Sequence, residues 1–243
     1  MGSEMCIRDS SWRVSWLMRT SHVRYAEQRY DDALEAARAA AELAAATLGT
    51  QSLDHERAML HLAAVHAAMR QNEEALDLLG DCDSLAIRVH GSDSLQRIPI
   101  LHARAEVLEA ADDLAGAVEA LGRARAIRRA VLGPHDPAYA RSCFNQAGLL
   151  VRQANSALVA VDGWRASLVG QAVTLVVEAS EIAVSTGDPE QGQEFAEALL
   201  ELILSGTGGE ANRLAHLEGC FEHVERLNEA VNKAQGLTCA TGQ

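Results

Sequence analysis

The chain repeats itself every 42 residues, and this periodicity limits its possible folds more than any other feature. Three similar segments read LEAARAAAELAAATLGT, LDLLGDCDSLAIRVHGS and VEALGRARAIRRAVLGP, and they place glycine at positions 49, 91 and 133. Two rows of alanine follow the same interval: Ala33, Ala75 and Ala117, and Ala63, Ala105 and Ala147. A period of this length is typical of arrays in which each repeat is one supersecondary unit that buries its apolar face against its neighbours.

Each repeat is predicted to be a pair of α-helices. A long apolar-periodic run such as residues 31–48 ends in a glycine, the residue best suited to the left-handed position after a helix. A polar residue precedes each following run, so we predict helix N-caps at Asp54, Ser94 and Asp136. Pro99 is tolerated only if it lies in the first turn of its helix.

The small residues within each predicted pair lie 12 positions apart, from Ala63 to Ala75 and from Ala105 to Ala117. Small side chains at these positions let two antiparallel helices approach closely, where a larger one would separate them. Hydrophobic residues make up 48% of the chain but aromatic residues only 4%, so the core is built from alanine, leucine and valine. This composition favours closely packed helices, and we predict an all-α fold.

The 12-residue spacing and the segment RAIRRAVLGPHDPAYARSCFNQAGLL resemble the tetratricopeptide repeat, specifically the 42-residue repeats of kinesin light chains and their bacterial relatives. The resemblance covers about residues 12–155. It implies a right-handed superhelical solenoid of antiparallel helix pairs. HEAT or armadillo arrays have units of similar length and are the alternative, but the Gly-Pro-His-Asp-Pro loop and the 12-residue spacing favour the tetratricopeptide pattern.

The repeat decays after residue 155. At the next register positions Val159 replaces alanine and Leu175 replaces glycine, while Ser180 and Gly192 are again small residues 12 apart, which indicates a looser unit. Residues 210–235 are predicted to form one amphipathic helix that caps the stack, since a bare last repeat would expose an apolar face. We therefore divide the chain into a repeat array at 11–155 and a degenerate helical region with a capping helix at 156–243.

The first ten residues, MGSEMCIRDS, resemble the translation of a transposase adapter used in sequencing libraries. We interpret residues 1–10 as non-native and exclude them from fold reasoning. On this interpretation the sequence is a metagenomic fragment, and we expect the native N-terminus to lie upstream.

The charge and the cysteines limit the partners and the compartment. The formal net charge of −13 disfavours nucleic acid and anionic membranes as partners. The most apolar stretch, residues 168–184, is interrupted by Gln171, Glu178 and Glu181, so we predict no membrane span. The cysteines contain no C-x-x-C motif and are predicted to be free thiols of a reducing, cytoplasmic environment.

The sequence contains no motif that indicates catalysis or a cofactor. Neither a G-x-S-x-G elbow nor a G-x-G-x-x-G fingerprint is present. His216, Cys220 and His223 share one stripe of a helix, but a closed zinc site needs a fourth ligand and usually a second element. We therefore predict no enzyme activity, no cofactor and no metal site.

In tetratricopeptide proteins the first helix of each pair lines the concave face, so the resemblance implies a set of groove residues. They are Arg57, His61, His102, Glu106, Arg141, Asn145 and Arg152. Asn145 falls where the kinesin light chain-like motif has one asparagine of an Asn-Asn pair. Such side chains suit an extended or acidic peptide, held by charge-assisted and main-chain hydrogen bonds. The alternative is that they are solvated residues on an exposed helix face.

The predicted function is a protein–protein interaction scaffold that binds a peptide or partner protein on the concave face. The alternative is the repeat region of a larger regulator or enzyme, such as a kinase or protease, whose catalytic domain lies upstream. A third possibility is a homodimer formed through the C-terminal half.

Overall fold

The protein is described here by a computed structural model that covers residues 2–156, 162–205 and 221–236. Within these ranges all regular secondary structure is α-helical, which confirms the predicted all-α fold class. The helices are α1 (Gly2–Ala26), α2 (Tyr30–Thr47), α3 (Leu53–Ala68), α4 (Asn72–His90), α5 (Arg97–Ala110), α6 (Leu114–Leu132), α7 (Pro137–Ser156), α8 (Asp162–Ser185), α9 (Pro189–Ser205) and α10 (Phe221–Ala234).

The chain divides into two compact units, Met1–Asp113 and Leu114–Gln243. In the first unit α1 packs on α2, α2 on α3, α3 on α4 and α4 on α5. In the second unit α6 packs on α7, α7 on α8 and α8 on α9. This nearest-neighbour packing is the pattern of a helical repeat array. The boundary at 155–156 and the non-native character of residues 1–10 stay predictions.

The small residues of the first unit are buried between their paired helices. Ala63 of α3 and Ala75 of α4 are at most 1% exposed, as predicted. Ser21 of α1 occupies the same register position as Ala63, and its hydroxyl donates a 2.7 Å hydrogen bond to the carbonyl of Ala33 in α2. A hydroxyl is therefore tolerated in this contact when the backbone of the facing helix accepts its proton.

The same contact returns in the second unit between α8 and α9. The hydroxyl of Ser180 donates to the carbonyl of Gly192 at 2.9 Å, and a Cβ added to Gly192 would lie 3.0 Å from the carbonyl oxygen of Ser180. This contact lies at the two residues on which the prediction of a looser unit rests, and that unit stays a prediction. Leu175 is buried in the middle of the continuous helix α8, so no helix ends where the register would place a glycine. Val159 lies outside the described residues.

Two left-handed positions mark the turns of the repeat. Between pairs, the three predicted glycines have φ of 92° to 94°, a conformation that side chains with a Cβ rarely adopt. Within pairs, a residue seven positions after the small one has positive φ, and here the chain uses Gln28, Arg70, Asp112 and Gly187. These turn positions were not predictable from residue type, because three of the four are not glycine.

A second contact recurs between residues 14 positions apart, and it joins the second helix of one pair to the first helix of the next. Nδ1 of His55 lies 3.2 Å from the carbonyl oxygen of Ala41 in the first unit. The equivalent pair one repeat later is Arg97 and Asp83, with Nε–Oδ1 and Nη2–Oδ2 distances of 2.7 and 2.9 Å. The register therefore fixes where this contact lies, while its chemistry changes from repeat to repeat.

Of the three predicted helix N-caps one is correct, and Pro99 lies where it was expected. Asp136 caps α7, since its Oδ1 accepts a 2.7 Å hydrogen bond from the backbone N–H of Ala138. Pro99 is the third residue of α5 and so lies in its first turn, as expected.

The cap predicted at Asp54 is wrong, because Ser52 accepts the hydrogen bond from the backbone N–H of His55 at 3.2 Å and caps α3 instead. Asp54 accepts a 2.8 Å hydrogen bond from the hydroxyl of Ser11 in α1. Ser94 caps only the turn that leads into α5, where its Oγ accepts from the N–H of Gln96 at 3.2 Å.

Helix α10 packs on α8 and α9, and its role as a capping helix stays a prediction. Its apolar face buries Leu227, Ala230 and Ala234. Residues 210–220 of the predicted capping helix lie outside the described residues.

One stretch does have the length and hydropathy of a membrane span, contrary to the sequence prediction. An 18-residue window within residues 163–185 of α8 has a mean hydropathy of 1.4. In the structure 61% of this window is buried, which is the environment of a core helix.

The close approach of α8 and α9 predicts opposite effects for two glycine-to-alanine changes. Gly192→Ala should lower the free energy of unfolding by about 1–3 kcal/mol, because the new Cβ forces the helices apart. Gly148→Ala in α7 is the matched control: a Cβ there meets nothing within 4 Å, so the change should stabilise the helix by up to about 1 kcal/mol. Urea unfolding of both variants measures this, and equal stabilities would show that the close contact is absent.

Candidate functional site

The first helices of the first unit present part of the predicted groove set to solvent. Arg57 on α3 and Glu106 on α5 are exposed, and His102 on α5 is half-buried. The positions six residues before each central small residue are exposed in all three repeats, at 57, 99 and 141. The open face of each first helix is therefore set by the 42-residue register.

His61 does not face an open groove, and this expectation is wrong. The side chain is only 8% exposed, and its ring centroid lies 3.8 Å from that of His22 in α1. Its Nε2 lies 2.8 Å from Oγ of Ser21. Because Ser21 gives its own proton to the carbonyl of Ala33, Nε2 of His61 must carry the proton of this hydrogen bond. His61 therefore holds α3 against α1.

Burial keeps the His61 ring neutral. Removal from water lowers its pKa to about 4, and the nearby charge of His22 adds to this effect. A neutral imidazole at this contact is consistent with the buried hydrogen bond that it donates.

In the second unit the predicted residues form one stripe of α7, which we call the α7 stripe: Arg141, Asn145 and Arg152. Their spacing of four and seven residues places them on one helix face. Arg141 and Arg152 are exposed, and Asn145 is half-buried. The structure thus brings these three predicted residues together on an accessible surface of one helix.

Helix α6 adds arginines that the groove prediction missed. Arg128 donates a hydrogen bond to Oγ of Ser142, the neighbour of Arg141. Burial is the main cause that lowers the pKa of Arg128, and the positive charge of Arg141 lowers it further. Arg129 is exposed, and its guanidinium carbon lies 6.0 Å from the ring centroid of Tyr139. The run RARAIRR was the available signal for this concentration of positive charge.

A buried tyrosine ties α6, α7 and α8 together beneath these arginines. Tyr139 is fully buried, and its hydroxyl donates to Oε1 of Glu178 at 2.9 Å. Nη1 of Arg125 lies 3.4 Å from the same hydroxyl. Burial, together with Cys143 and Glu178, raises the pKa of Tyr139 to about 12, so the hydroxyl keeps its proton.

A cleft of about 510 Å³ opens on another side of the second unit. Gln146 and Leu150 of α7 line it, and they lie on the opposite side of this helix from Arg141. Helices α6, α8 and α10 provide its other walls. We call it the unit-2 cleft, and no sequence feature predicted it.

The described cysteines are buried thiols. Cys82 and Cys143 are both free of disulfides, as expected. Burial, with the charges of nearby acidic residues, raises the pKa of Cys82 to about 12, which makes it unreactive.

Residues that could ligate a metal are not gathered in the described part of the chain, where no group of three His, Cys, Asp or Glu side chains has a suitable arrangement. Of the three residues His216, Cys220 and His223, which share one predicted helix stripe, the first two lie outside the described residues.

Comparison with known proteins identifies the repeat. The tetratricopeptide repeat family model matches residues 57–96 and 100–138. The chain matches no curated protein sequence. Its fold is similar to that of a kinesin light chain candidate with nearly identical TPR-like repeats from Podosopora anserina, at 18% identity and a TM-score of 0.51, covering 96% of this chain and 99% of that one.

A second similar structure is BtubC (BKLC) from P. vanneervenii. It is 14% identical with a TM-score of 0.58, and the match covers 98% of this chain and 91% of that one. At these identities the comparisons establish the fold, a solenoid of tetratricopeptide-like helix pairs.

The buried His61 predicts a pH-dependent loss of stability. The unfolded chain takes up a proton on His61 near the ordinary pKa of 6.5, whereas the folded chain does so only near 4. The contribution of His61 to the free energy of unfolding is therefore fully present above pH 6.5. It falls by up to about 3 kcal/mol as the pH drops towards 4. Gln at position 61 keeps a donor but cannot titrate, so His61→Gln should show a shallower pH profile in urea unfolding.

The matched control is His135→Gln, which removes an exposed histidine. Its pH profile should follow that of the wild type. Parallel pH profiles of stability for His61→Gln and the wild type would contradict the assignment of this pH dependence to His61.

Proposed function

We propose that this chain, which matches the tetratricopeptide repeat family model over residues 57–96 and 100–138 and has a fold similar to kinesin light chain-like structures, binds an acidic, extended peptide through its exposed first helices. Proteins built from such repeats are protein–protein interaction scaffolds. The observation that carries the finer proposal is the α7 stripe beside Arg128 and Arg129, a cluster of arginines in a chain of net charge −13.

Electrostatics favour an anionic partner on this surface. Like charges held close together repel, as the effect of Arg141 on Arg128 illustrates. A carboxylate placed between such guanidinium groups relieves the repulsion and forms charge-assisted hydrogen bonds, which are about twice as strong as neutral ones. Acidic side chains of a peptide would therefore gain the most binding free energy at this position.

Asn145 gives the surface a way to bind the peptide backbone. A side-chain amide has both donors and an acceptor, so it can pair with the N–H and C=O groups of an extended chain. Asn145 lies between Arg141 and Arg152 on the stripe and is half-buried, so its side chain is partly ordered before binding. The stripe therefore has one group that can hydrogen-bond to the peptide backbone between two groups that can pair with acidic side chains.

The first unit offers a surface of mixed charge instead. Arg57, His102 and Glu106 lie on its first helices, and His61 supports them from below by holding α3 on α1. We propose that this surface binds a less acidic segment of the partner.

The proposed action is binding without catalysis in the cytoplasm. Homodimerisation through the C-terminal half stays a prediction, and light scattering over a range of concentrations tests it.

Charge reversal on the α7 stripe should abolish acidic-peptide binding. The double variant Arg141→Glu with Arg152→Glu should weaken binding of a fluorescein-labelled peptide, Ac-Glu-Leu-Asp-Glu-Leu-Asp-NH2, at least tenfold in fluorescence anisotropy, because two attractive contacts become repulsive. The affinity of the wild type should also fall as salt is added.

The matched control is the double variant Arg38→Glu with Arg88→Glu. Both arginines are exposed on second helices, α2 and α4, and the change in net charge is the same. This control should bind nearly as well as the wild type. Equal weakening by both double variants would mean that only net charge matters, and the proposed site would be wrong.

A further inference from the structure

The unit-2 cleft contains a positive charge that the proposed peptide surface does not use. Its walls include Arg125 from α6, Gln146 and Leu150 from α7, and Ser167, Gln171 and Thr174 from α8. All of these residues belong to the second unit. The cleft is open to solvent on one side, and its volume of about 510 Å³ is within the range of small-molecule sites.

Arg125 is fixed in place by neutral groups. Its Nε donates to Oε1 of Gln146 at 2.8 Å, and Nη1 lies 3.4 Å from the hydroxyl of Tyr139. Gln146 is fixed in turn, since its Nε2 donates to the carbonyl of Val118 at 3.4 Å and would lie 2.9 Å from a Cβ on Gly122. The guanidinium therefore has its orientation before any ligand arrives.

Among the described residues no carboxylate pairs directly with this guanidinium. Among the ion pairs of the described residues, none involves Arg125, and the cleft is lined by no Asp or Glu although the chain has 34 acidic residues. The carboxylate of this network, Glu178, is reached only through the hydroxyl of Tyr139. Holding a half-buried charge without a counter-charge is unfavourable, and an anion in the cleft would offset this cost.

The repeat register shows how the environment of Arg125 differs from that of the equivalent residue one repeat earlier. Position 125 corresponds to Asp83, which in the preceding repeat is paired with Arg97. At the corresponding pair in this repeat, Arg125 meets the neutral Tyr139. The preceding repeat therefore has an ion pair at this contact, whereas this repeat has an arginine beside a neutral tyrosine.

The remaining walls combine polar side chains with an apolar surface. Ser167, Gln171 and Thr174 are exposed along one stripe of α8. Leu150 and Leu175 contribute apolar surface, and both are largely buried. The ring of His223 lies against Gly170, and its buried Nδ1 has no hydrogen-bond partner among the described residues. The cleft therefore matches a ligand that carries an anionic acceptor next to an aliphatic group.

We propose that the unit-2 cleft binds a carboxylate attached to a branched aliphatic group. The carboxylate pairs with Arg125, and the aliphatic group lies against Leu150 and Leu175. Two sources share this chemistry: the C-terminal residue of a protein and a free aliphatic carboxylic acid.

Titration of the full chain with three small probes tests the proposal. The probes are N-acetyl-leucine, 4-methylpentanoate and the neutral N-acetyl-leucinamide, followed by calorimetry and by the backbone amide signal of Gly170 in NMR spectra. Both carboxylates should bind, and the amide should bind at least tenfold more weakly, since a hydrogen bond to a charged group is lost. Tighter binding of N-acetyl-leucine supports a protein C-terminus, whereas tighter binding of 4-methylpentanoate supports a free acid. Equal binding of amide and carboxylate, or no binding, overturns the proposal.

Variants locate the binding. Arg125→Gln should lower the affinity for N-acetyl-leucine at least tenfold. Because this change also disturbs the contact with Tyr139, Ser167→Leu gives a second measurement: it narrows the cleft from an exposed position of α8 and should weaken binding similarly. Ser185→Leu, an exposed position of the same helix outside the cleft, is the matched control.

The double variant Arg141→Glu with Arg152→Glu separates this proposal from the proposed function. It should lose the acidic peptide and keep N-acetyl-leucine. Unchanged affinity for N-acetyl-leucine in both Arg125→Gln and Ser167→Leu would place the ligand elsewhere and refute the cleft assignment.

Discussion

The close approach of paired helices at two small residues is the contact on which the rest of this structure depends. In the first unit it joins Ser21 to Ala33, and in the second it joins Ser180 to Gly192, with a hydroxyl-to-carbonyl hydrogen bond in both. At this distance a larger side chain meets the backbone of the facing helix. The spacing of the pair then determines which residues of each first helix face outwards, and so where any binding surface lies.

The contact between residues 14 positions apart shows how one geometry carries different chemistry. It is a histidine against a backbone carbonyl at His55, a bidentate ion pair at Arg97, and an arginine against a phenol at Arg125. The backbone register determines the place of the contact, because successive pairs repeat the same helix packing. The side chains at that contact can therefore differ between repeats. At Arg125 the contact leaves the guanidinium beside the unit-2 cleft rather than in an ion pair.

The sequence predicted the features that depend on spacing and missed those that depend on rotation about a helix axis. The 42-residue period gave the helix pairs, the small-residue contacts and the left-handed glycines, since each follows from position alone. His61 was misplaced because each residue turns about 100° around the helix, and this is enough to move a side chain from the open face to the α1 contact. Gln28 and Arg70 were missed because their residue types do not indicate a left-handed turn, which the packing of the pair imposes.

The arginines of α6 show the same limit at the candidate sites. The run RARAIRR is visible in the sequence, but only the packed helix shows that Arg125 is directed into the unit-2 cleft, Arg128 towards Ser142 and Arg129 over Tyr139. One helix thereby supplies positive charge to two separate surfaces of an acidic protein. A shift of this helix by one residue would bury some of these charges and move the others, so the rotational phase of α6 links the fold to both binding proposals.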